Sequence, residues 1–432
     1  MTNLLPLFNT VLSKKTHALI YMLGYWSQKN MFKIYGVGSF VRDLILGREN
    51  RTVNLLVEGS AVDFARSLQQ MLPASRLQCN EKYGTAKLSL PDEMVFDMVT
   101  ARKELFAFTD TLSAQQLTLK NNLYNKNFSI NTMACALNPL NFGHLYDYFG
   151  GRKDLEKGVI RVLYKLSFVD DPLRILQAVR LEQRLGFKIE EETAALLHKA
   201  RARRLLKKIS KEKFYNEIRL IFWEPSPLKV LIRLQELHLF EKLFPRLVLN
   251  SVTKARLQQL EQVLSQLQGK TWGTRLNRFV LFLSALFSEM SRHDIQYLSH
   301  YMRLKRNERL KINFIHQNMR PLLAQLQLPH LGPSHLYQLL KGMPTEGLVL
   351  MMASAPGPRV DERILFFQEH LCRKKPVLKM ADLLEKGLKP GPLLNRLFQD
   401  LQEAVLENKI KSRKEELAFI NILLEKNNCL SE

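Results

Sequence analysis

The sequence predicts an α+β protein in which a small mixed sheet with packed helices precedes a long all-helical region. Three observations support this prediction. The 432 residues are 46% hydrophobic and 24% charged, as is typical of globular chains. Short apolar segments with strand-like alternation lie before about residue 150. Beyond that point the strand patterns vanish, and leucine-rich stretches of helical period run from 172 to 432.

Local patterns predict each element of the first part of the chain. Residues 1–30 form an amphipathic, helical segment. The next predicted elements, in order, are strands at 32–37 and 53–57, a helix at 61–72 capped by Ser60, and a hairpin of 85–90 with 94–99 around the turn 91–93. Together they predict a small sheet that is covered by helices.

The charge balance indicates the class of partner. There are 64 Lys and Arg residues against 41 Asp and Glu, which gives a net charge of +23. This excess predicts a polyanionic partner, with RNA or DNA first and an anionic membrane surface second. The alternative is a basic protein without a nucleic-acid partner. The densest positive segment, 201–213, predicts contacts with an RNA backbone, or else forms a solvated helix face; its candidates are Arg203, Arg204, Lys207, Lys208 and Lys211.

Cysteine usage and hydropathy bound the compartment. The four cysteines lie far apart and form no CxxC spacing, so we expect no zinc site and a reducing, cytoplasmic environment. No apolar run approaches 18 residues, so no spanning helix is predicted, and we expect RNA rather than a membrane as the partner. The N-terminus lacks the pattern of a signal peptide, whereas a short organelle-targeting role stays open.

A Gly-Ser turn is the first feature that indicates chemistry. Gly38 and Ser39 follow a predicted strand and open a helix that carries Arg42 and Asp43. Backbone N–H groups at such a turn suit a phosphate, although many Gly-Ser turns are only turns. Thirteen residues after Ser39, Thr52 and Asn54 begin the next strand. Two carboxylates at this spacing would face the same way and could share metal ions.

Several further sequence blocks follow in a fixed order. They are YGTA at 83–86, FDMVTARKE at 96–104, NKNFSINTMA at 125–134, YDYFGGRKDL at 146–155, SFVDDPLR at 167–174 and LGF at 185–187. With the Gly-Ser turn, they resemble the class II tRNA nucleotidyltransferase and poly(A) polymerase family of the DNA polymerase beta superfamily. The resemblance covers residues 30–225, and the segment 380–392 resembles the C-terminal body of bacterial members.

The resemblance implies a fold, an activity and ligands. The expected domains are an N-terminal helical segment (1–30), a nucleotidyltransferase head (31–150), a helical neck that binds the base and RNA (151–225), a helical body (226–345) and a tail (346–432). The implied activity is template-independent addition of nucleotides from ATP or CTP to the 3′ end of tRNA or another structured RNA, with Mg²⁺. The sequence leaves the oligomeric state open.

The same resemblance implies roles for individual residues. Those expected to bind the nucleotide are Gly38, Ser39, Arg42, Asp43, Lys126, Asn131, Asp171, Arg174 and Arg180. In the family, the residues that match Asp171 and Arg174 hydrogen-bond the Watson–Crick edge of the incoming base. The alternative interpretation makes Asp171 a helix N-terminal residue and Arg174 its neighbour one turn later.

The departures from the family pattern fall on the chemistry. Thr52 and Asn54 stand where the metal carboxylates are expected, so Asp97 is the remaining catalytic carboxylate and metal ligand. Other family charges are replaced at Asn122, Asn125, Asn127 and Gln177. Because neutral side chains supply no charge to Mg²⁺, we expect the metal site to be degraded and catalysis to be lost or strongly reduced.

Three functional hypotheses follow from this pattern. The first is an RNA-binding pseudoenzyme in tRNA or RNA 3′-end metabolism. The second is a working transferase with an unusual metal site, in which Glu49 or Glu58 could join Asp97. The third is a protein-binding or structural pseudoenzyme that pairs with an active paralogue.

Overall fold

The computed structural model describes residues 3–101, 114–270, 276–355, 357–385, 388 and 390–428, with 114–117 and 426–428 described by their backbone only. The chain divides into two compact units, Met1–Ile209 and Ser210–Glu432. Residues 102–104 of one family block, three residues of the 380–392 segment (386, 387 and 389) and Cys429 lie outside the described residues. The five predicted domains, with the four boundaries between them, remain predictions.

A seven-stranded mixed sheet forms the centre of the first unit, in the order β3-β4-β5-β2-β1-β6-β7. Its strands are β1 Lys33–Val37, β2 Thr52–Glu58, β3 Arg76–Asn80, β4 Thr85–Ser89, β5 Val95–Thr100, β6 Met133–Ala136 and β7 Leu145–Asp147. Strands β2 and β5 run parallel, and the other neighbouring pairs run antiparallel. A separate two-stranded parallel pair joins β8 Val159–Ile160 to β9 Lys188–Ile189.

Helices cover both faces of the large sheet. The helices of the first unit are α1 Leu5–Val11, α2 Lys14–Lys29, α3 Ser39–Ile45, α4 Ala61–Met71, α5 Ala114–Tyr124, α6 Gly151–Lys157, α7 Ser167–Asp170, α8 Leu173–Leu185 and α9 Glu191–Ala202. Of these, α2, α3 and α4 contact strands of the large sheet. On one face, Leu56 of β2 packs with Leu119 and Leu123 of α5. Since side chains alternate along a strand, Asn54 shares this face and lies next to the apolar cluster.

The described residues of the second unit form helices and the loops that connect them. Its helices are α10 Lys211–Trp223, α11 Pro227–Glu236, α12 Phe240–Leu243, α13 Ser251–Gln266, α14 Arg278–Phe287, α15 Arg292–Tyr301, α16 Arg306–Leu326, α17 Pro333–Leu340, α18 Thr345–Ser354, α19 Pro358–Phe366, α20 Met380–Glu385, α21 Pro392–Leu406 and α22 Arg413–Asn428. Helix α14 is buried on every side, and Phe222 stacks on Phe282 at 5.4 Å. Among the helices that the structure describes, none has the length and apolar character of a membrane span.

The structure confirms the α+β prediction and most of the predicted elements. The predicted helix, both strands and the hairpin occur within one residue of their expected bounds, and the Ser60 hydroxyl accepts a hydrogen bond from the N–H of Asp63. The prediction that strands end near residue 150 is wrong, because β8 and β9 follow. Each strand has only two residues, which is too short for an alternating pattern to be recognised in the sequence. Strand β6 was not predicted either, since all four of its residues are buried.

Candidate active site

The Gly38–Ser39 turn connects β1 to α3 at the middle of the sheet. Gly38 has φ 65° and ψ −128°, a conformation that L-residues rarely adopt, so glycine permits this turn. Ser39 begins α3, and its hydroxyl donates a hydrogen bond to Oδ1 of Asn54 at 2.7 Å. The turn and the start of β2 are therefore joined at the place where the sequence predicts a phosphate site.

A row of four polar residues crosses the sheet beside this turn. Asn54 of β2 pairs with Asp97 of β5, Asp97 pairs with Lys87 of β4, and Lys87 pairs with Gln78 of β3. Residues paired across neighbouring strands project from the same face, with Cβ atoms about 5 Å apart. We call these four residues the polar row. Asp97, Lys87 and Gln78 are exposed, and Asn54 is half-buried.

The two other acidic candidates do not join Asp97. The Glu49 carboxylate accepts hydrogen bonds from the N–H of Ser13 and the hydroxyl of Thr16, both at 3.0 Å. Glu58 lies four residues along β2 from Asn54 and accepts a hydrogen bond from the Tyr35 hydroxyl at 3.2 Å. The proposed arrangement in which one of them completes a carboxylate pair is therefore wrong.

Lys126 brings a second cation to the polar row. It follows α5 by two residues, and its side chain is half-buried. Burial lowers the pKa of its ammonium group, while the nearby Asp97 carboxylate acts in the opposite direction. Asp97 therefore has an ammonium group within electrostatic range in addition to its cross-strand neighbour Lys87.

These residues do not fit the Mg²⁺ site that the family pattern implies. Mg²⁺ requires near-octahedral oxygen donors, including one or two carboxylates, and is repelled by nearby cations. Thr52 and Asn54 are neutral, and the one carboxylate, Asp97, lies close to Lys87 and Lys126. Within the described ranges, no group of three His, Cys, Asp or Glu side chains could hold a metal ion.

A hydrogen-bonded chain connects the turn helix α3 to α8. The guanidinium of Arg42 donates to Asp43 (2.8 Å) and to Asn131 (2.9 Å). Asn131 donates to Asn127, which donates to Gln177, both at 3.0 Å. Arg42 and Asp43 are almost fully buried. Burial lowers the pKa of Arg42, and Asp43 opposes this effect.

This series of hydrogen bonds joins two positions at which the sequence differs from the family pattern. Asn127 and Gln177 each replace a charged family residue, and here the two amides contact each other. A neutral pair thus occupies a place where the family pattern has an acid and a base. Lys87 was also absent from the sequence-based site. The alternating pattern of the predicted hairpin could have identified Lys87, because the strand register places it directly opposite Asp97.

The base-reading residues lie at the start of α8. Asp171 precedes the helix, and its carboxylate accepts a hydrogen bond from the N–H of Leu173 at 3.3 Å. Arg174 donates to the hydroxyls of Tyr164 (3.2 Å) and Ser167 (2.8 Å). Asp171 thus lies at the N-terminal end of α8, and its carbonyl oxygen accepts a hydrogen bond from the N–H of Arg174 at 3.1 Å. Their role in reading a base remains a prediction.

A stripe of polar residues continues along α8. Arg174, Gln177 and Arg180 follow at intervals of three residues and are all half-buried. Such spacing places them on one side of the helix. Arg180 and Arg184 both lower the pKa of Arg42 through charge repulsion, which places them in electrostatic reach of α3. This side of α8 thus adds positive potential to the region around the Gly38–Ser39 turn.

The predicted RNA-binding residues differ in their surroundings. Arg203, Arg204, Lys207 and Lys208 are exposed at the end of the first unit, where α9 gives way to a 3₁₀ turn over Leu205–Lys208. Lys211 begins α10, and its ammonium lies 3.2 Å from the centre of the Tyr301 ring. This cation–π contact holds the side chain in place, and its predicted contact with RNA remains a prediction.

Two family descriptions match the chain. Residues 34–161 match the poly(A) polymerase head domain, and residues 186–250 match a probable RNA- and SrmB-binding site of polymerase A. The A-adding tRNA nucleotidyltransferase of Geobacter sulfurreducens is 30% identical over 95% of this chain and 47% of its own length. That of Halalkalibacterium halodurans is 27% identical over 96% and 95%. The chain thus spans about half the length of the Geobacter relative and nearly all of the second.

Solved structures of CCA-adding enzymes have the same fold. The Thermotoga maritima CCA-adding enzyme in complex with tRNA is 29% identical, with a TM-score of 0.67 and coverage of 98% of both chains. A CCA-adding enzyme in complex with CTP is 30% identical, with a TM-score of 0.70 and coverage of 98% of this chain and 99% of that one.

Proposed function

We propose that this chain, which belongs to the class II tRNA nucleotidyltransferase and poly(A) polymerase family, binds the 3′ end of tRNA or another structured RNA and has lost most of the family's catalytic rate. The named relatives add A or CCA to tRNA, and solved structures of CCA-adding enzymes contain ATP, CTP or tRNA. The proposal includes binding of ATP or CTP, in the cytoplasm, without efficient transfer to RNA.

One observation carries this proposal: Asp97 faces Asn54, and no acidic side chain stands at position 52 or 54. In this family, metal ions at the carboxylates offset the charge of the triphosphate and help to activate the 3′-hydroxyl. The loss of several kcal/mol of such stabilisation lowers the rate by about 10³-fold or more. A single carboxylate flanked by lysines does not replace that contribution.

RNA binding is supported by features that the departures leave intact. The net charge of +23 gives long-range attraction to a polyanion. Exposed cations are concentrated at 203–208, near the end of the first unit. Phosphate contacts release counterions, so affinity for RNA must fall steeply as salt rises.

The test uses the purified full chain, tRNA that lacks its 3′ end, labelled ATP or CTP, and Mg²⁺ or Mn²⁺. We expect incorporation about 10³-fold below that of an active relative assayed in parallel, with tRNA binding that weakens as salt rises. The double variant Lys207→Ala/Lys208→Ala should bind tRNA more weakly and with a smaller salt dependence. Robust incorporation that Asp97→Ala abolishes would contradict the proposal.

Restoring the acids separates loss of function from an unusual mechanism. If the missing carboxylates limit the rate, Thr52→Asp/Asn54→Asp should raise incorporation by at least tenfold. A tenfold gain corresponds to an activation barrier that is lower by about 1.4 kcal/mol. Thr52→Asn/Asn54→Gln is the matched control, because it changes both side chains without adding charge. High starting activity and no gain would favour a working transferase. RNA binding that is insensitive to salt would favour the protein-binding role and pairing with a paralogue.

A further inference from the structure

The polar row and Lys126 together carry a net positive charge, whereas a metal site has a net negative charge. Asp97 contributes one negative charge, while Lys87 and Lys126 contribute two positive charges around it. The remaining members, Asn54 and Gln78, are neutral amides. The group is therefore net positive on the face of the sheet next to the Gly38–Ser39 turn.

Strand register fixes Lys87 on the face of the sheet that carries Asp97 and Asn54. Lys87 shares its face with Asp97 because the two residues are paired across antiparallel strands. The same face carries Leu56 and Val99, against which α5 packs through Leu119 and Leu123. Lys126 follows α5 by two residues, and its ammonium group lies within electrostatic range of Asp97.

We infer that the polar row and Lys126 bind the triphosphate of a nucleoside triphosphate directly, through protein ammonium groups, and that this binding requires no divalent cation. The inference rests on the proposed function, because it assigns the electrostatics of the same nucleotide site. Charge-assisted hydrogen bonds from ammonium groups to phosphate oxygens are strong and need no intervening metal.

The lysines thereby perform one of the two tasks that metal ions perform in relatives that catalyse transfer. They offset the charge of the triphosphate, which allows it to bind. They provide no open coordination position that could activate a 3′-hydroxyl, so bound nucleotide is retained rather than transferred. This arrangement separates nucleotide binding from nucleotide transfer.

Calorimetric titration of the full chain with ATP tests the inference, once in EDTA and once in excess Mg²⁺. We expect affinities that agree within about threefold under the two conditions. Lys126→Met and Lys87→Met should each weaken binding in EDTA by about tenfold or more, as for the loss of a charge-assisted bond. Lys82→Met is the matched control, because Lys82 is exposed before the same hairpin but lies outside the polar row. Titrations with CTP and pyrophosphate distinguish recognition of the whole nucleotide from recognition of its phosphates alone.

Three results would overturn the inference: binding that occurs only with Mg²⁺, no ATP binding under either condition, or equal affinities for the two lysine variants and the control. Thr52→Asp/Asn54→Asp gives an independent check, since two added carboxylates should make ATP binding depend on Mg²⁺. Binding of tRNA is measured on the same samples. If tRNA binds but ATP affinity is independent of both lysines, this inference fails while the proposed RNA-binding function stands.

Discussion

Exchange of the Asn127–Gln177 amide pair for an ion pair tests whether these two departures form one coupled unit. The side-chain amide of Asn127 donates to Gln177 at 3.0 Å, and it also accepts a hydrogen bond from Asn131. We consider Asn127→Asp, Gln177→Arg and the double variant as a thermodynamic cycle. The double variant restores the acid and the base that the family pattern has at these positions.

The structure gives the expected magnitudes. Gln177→Arg alone places a third cation between Arg174 and Arg180 on one side of α8, which should cost about 1–2 kcal/mol. Asn127→Asp alone loses the donor to Gln177 but keeps the bond from Asn131, which should cost about 1 kcal/mol. In the double variant, opposite charges about 4 Å apart attract by up to about 4 kcal/mol in a half-buried site. After loss of the amide bond, we expect a coupling free energy of roughly 2–3 kcal/mol.

Urea unfolding of the first unit supplies the measurement. The sequence has three tryptophans, and Trp26 is the one in the first unit. A background of Trp223→Phe and Trp272→Phe therefore leaves a fluorophore that reports this unit; Trp272 lies outside the described residues. Asn125→Asp with Gln183→Arg is the matched control cycle, since it makes the same changes of charge elsewhere. A coupling below about 0.5 kcal/mol, within the error of additivity, would refute the reasoning.

Three further predictions concern the same unit. Gly24→Ala should lower the free energy of unfolding by about 1–3 kcal/mol, because the new Cβ would lie 1.9 Å from the carbonyl oxygen of Leu137; an unchanged Trp26 unfolding curve would contradict this. Burial raises the pKa of Cys135 to about 12, so iodoacetamide at pH 8 should modify exposed Cys79 first and Cys135 only after denaturation, as mass spectrometry would show. Asp154→Ala should lower the free energy of unfolding by about 2 kcal/mol in the same urea assay. The substitution removes a buried carboxylate that accepts hydrogen bonds from a serine hydroxyl and a partly exposed guanidinium. An unchanged free energy of unfolding would contradict this.

The fold was predictable where a residue pattern is long enough to carry a signal. The hairpin and the helix at 61–71 follow from alternation, turn residues and the Ser60 cap. Short elements escaped, because a two-residue strand such as β8 is defined only by its partner. In the candidate site, the family pattern identified Thr52 and Asn54 as substitutions of expected carboxylates. The effect of these substitutions on a metal site depends on the side chains that surround them in the folded structure.

The contacts around these positions could not be read from the chain alone. Lys87 stands opposite Asp97 through strand register, and Asn127 meets Gln177 across 50 residues of sequence. Register is sensitive to a shift of a single residue, and contacts between distant segments depend on packing rather than on local preference. The sequence therefore indicates which charged residues of the family pattern are replaced. The structure identifies the lysine and the amides that lie beside those positions.

The amide pair also bears on how readily positions 127 and 177 could return to the charged residues of the family pattern. Reversal of either partner alone would leave an unmatched charge beside α8, so each first step lowers stability before the second step recovers it. The two charges are therefore expected to return most readily when both positions change together. A contact between two substituted residues thus disfavours reversal of either substitution by itself.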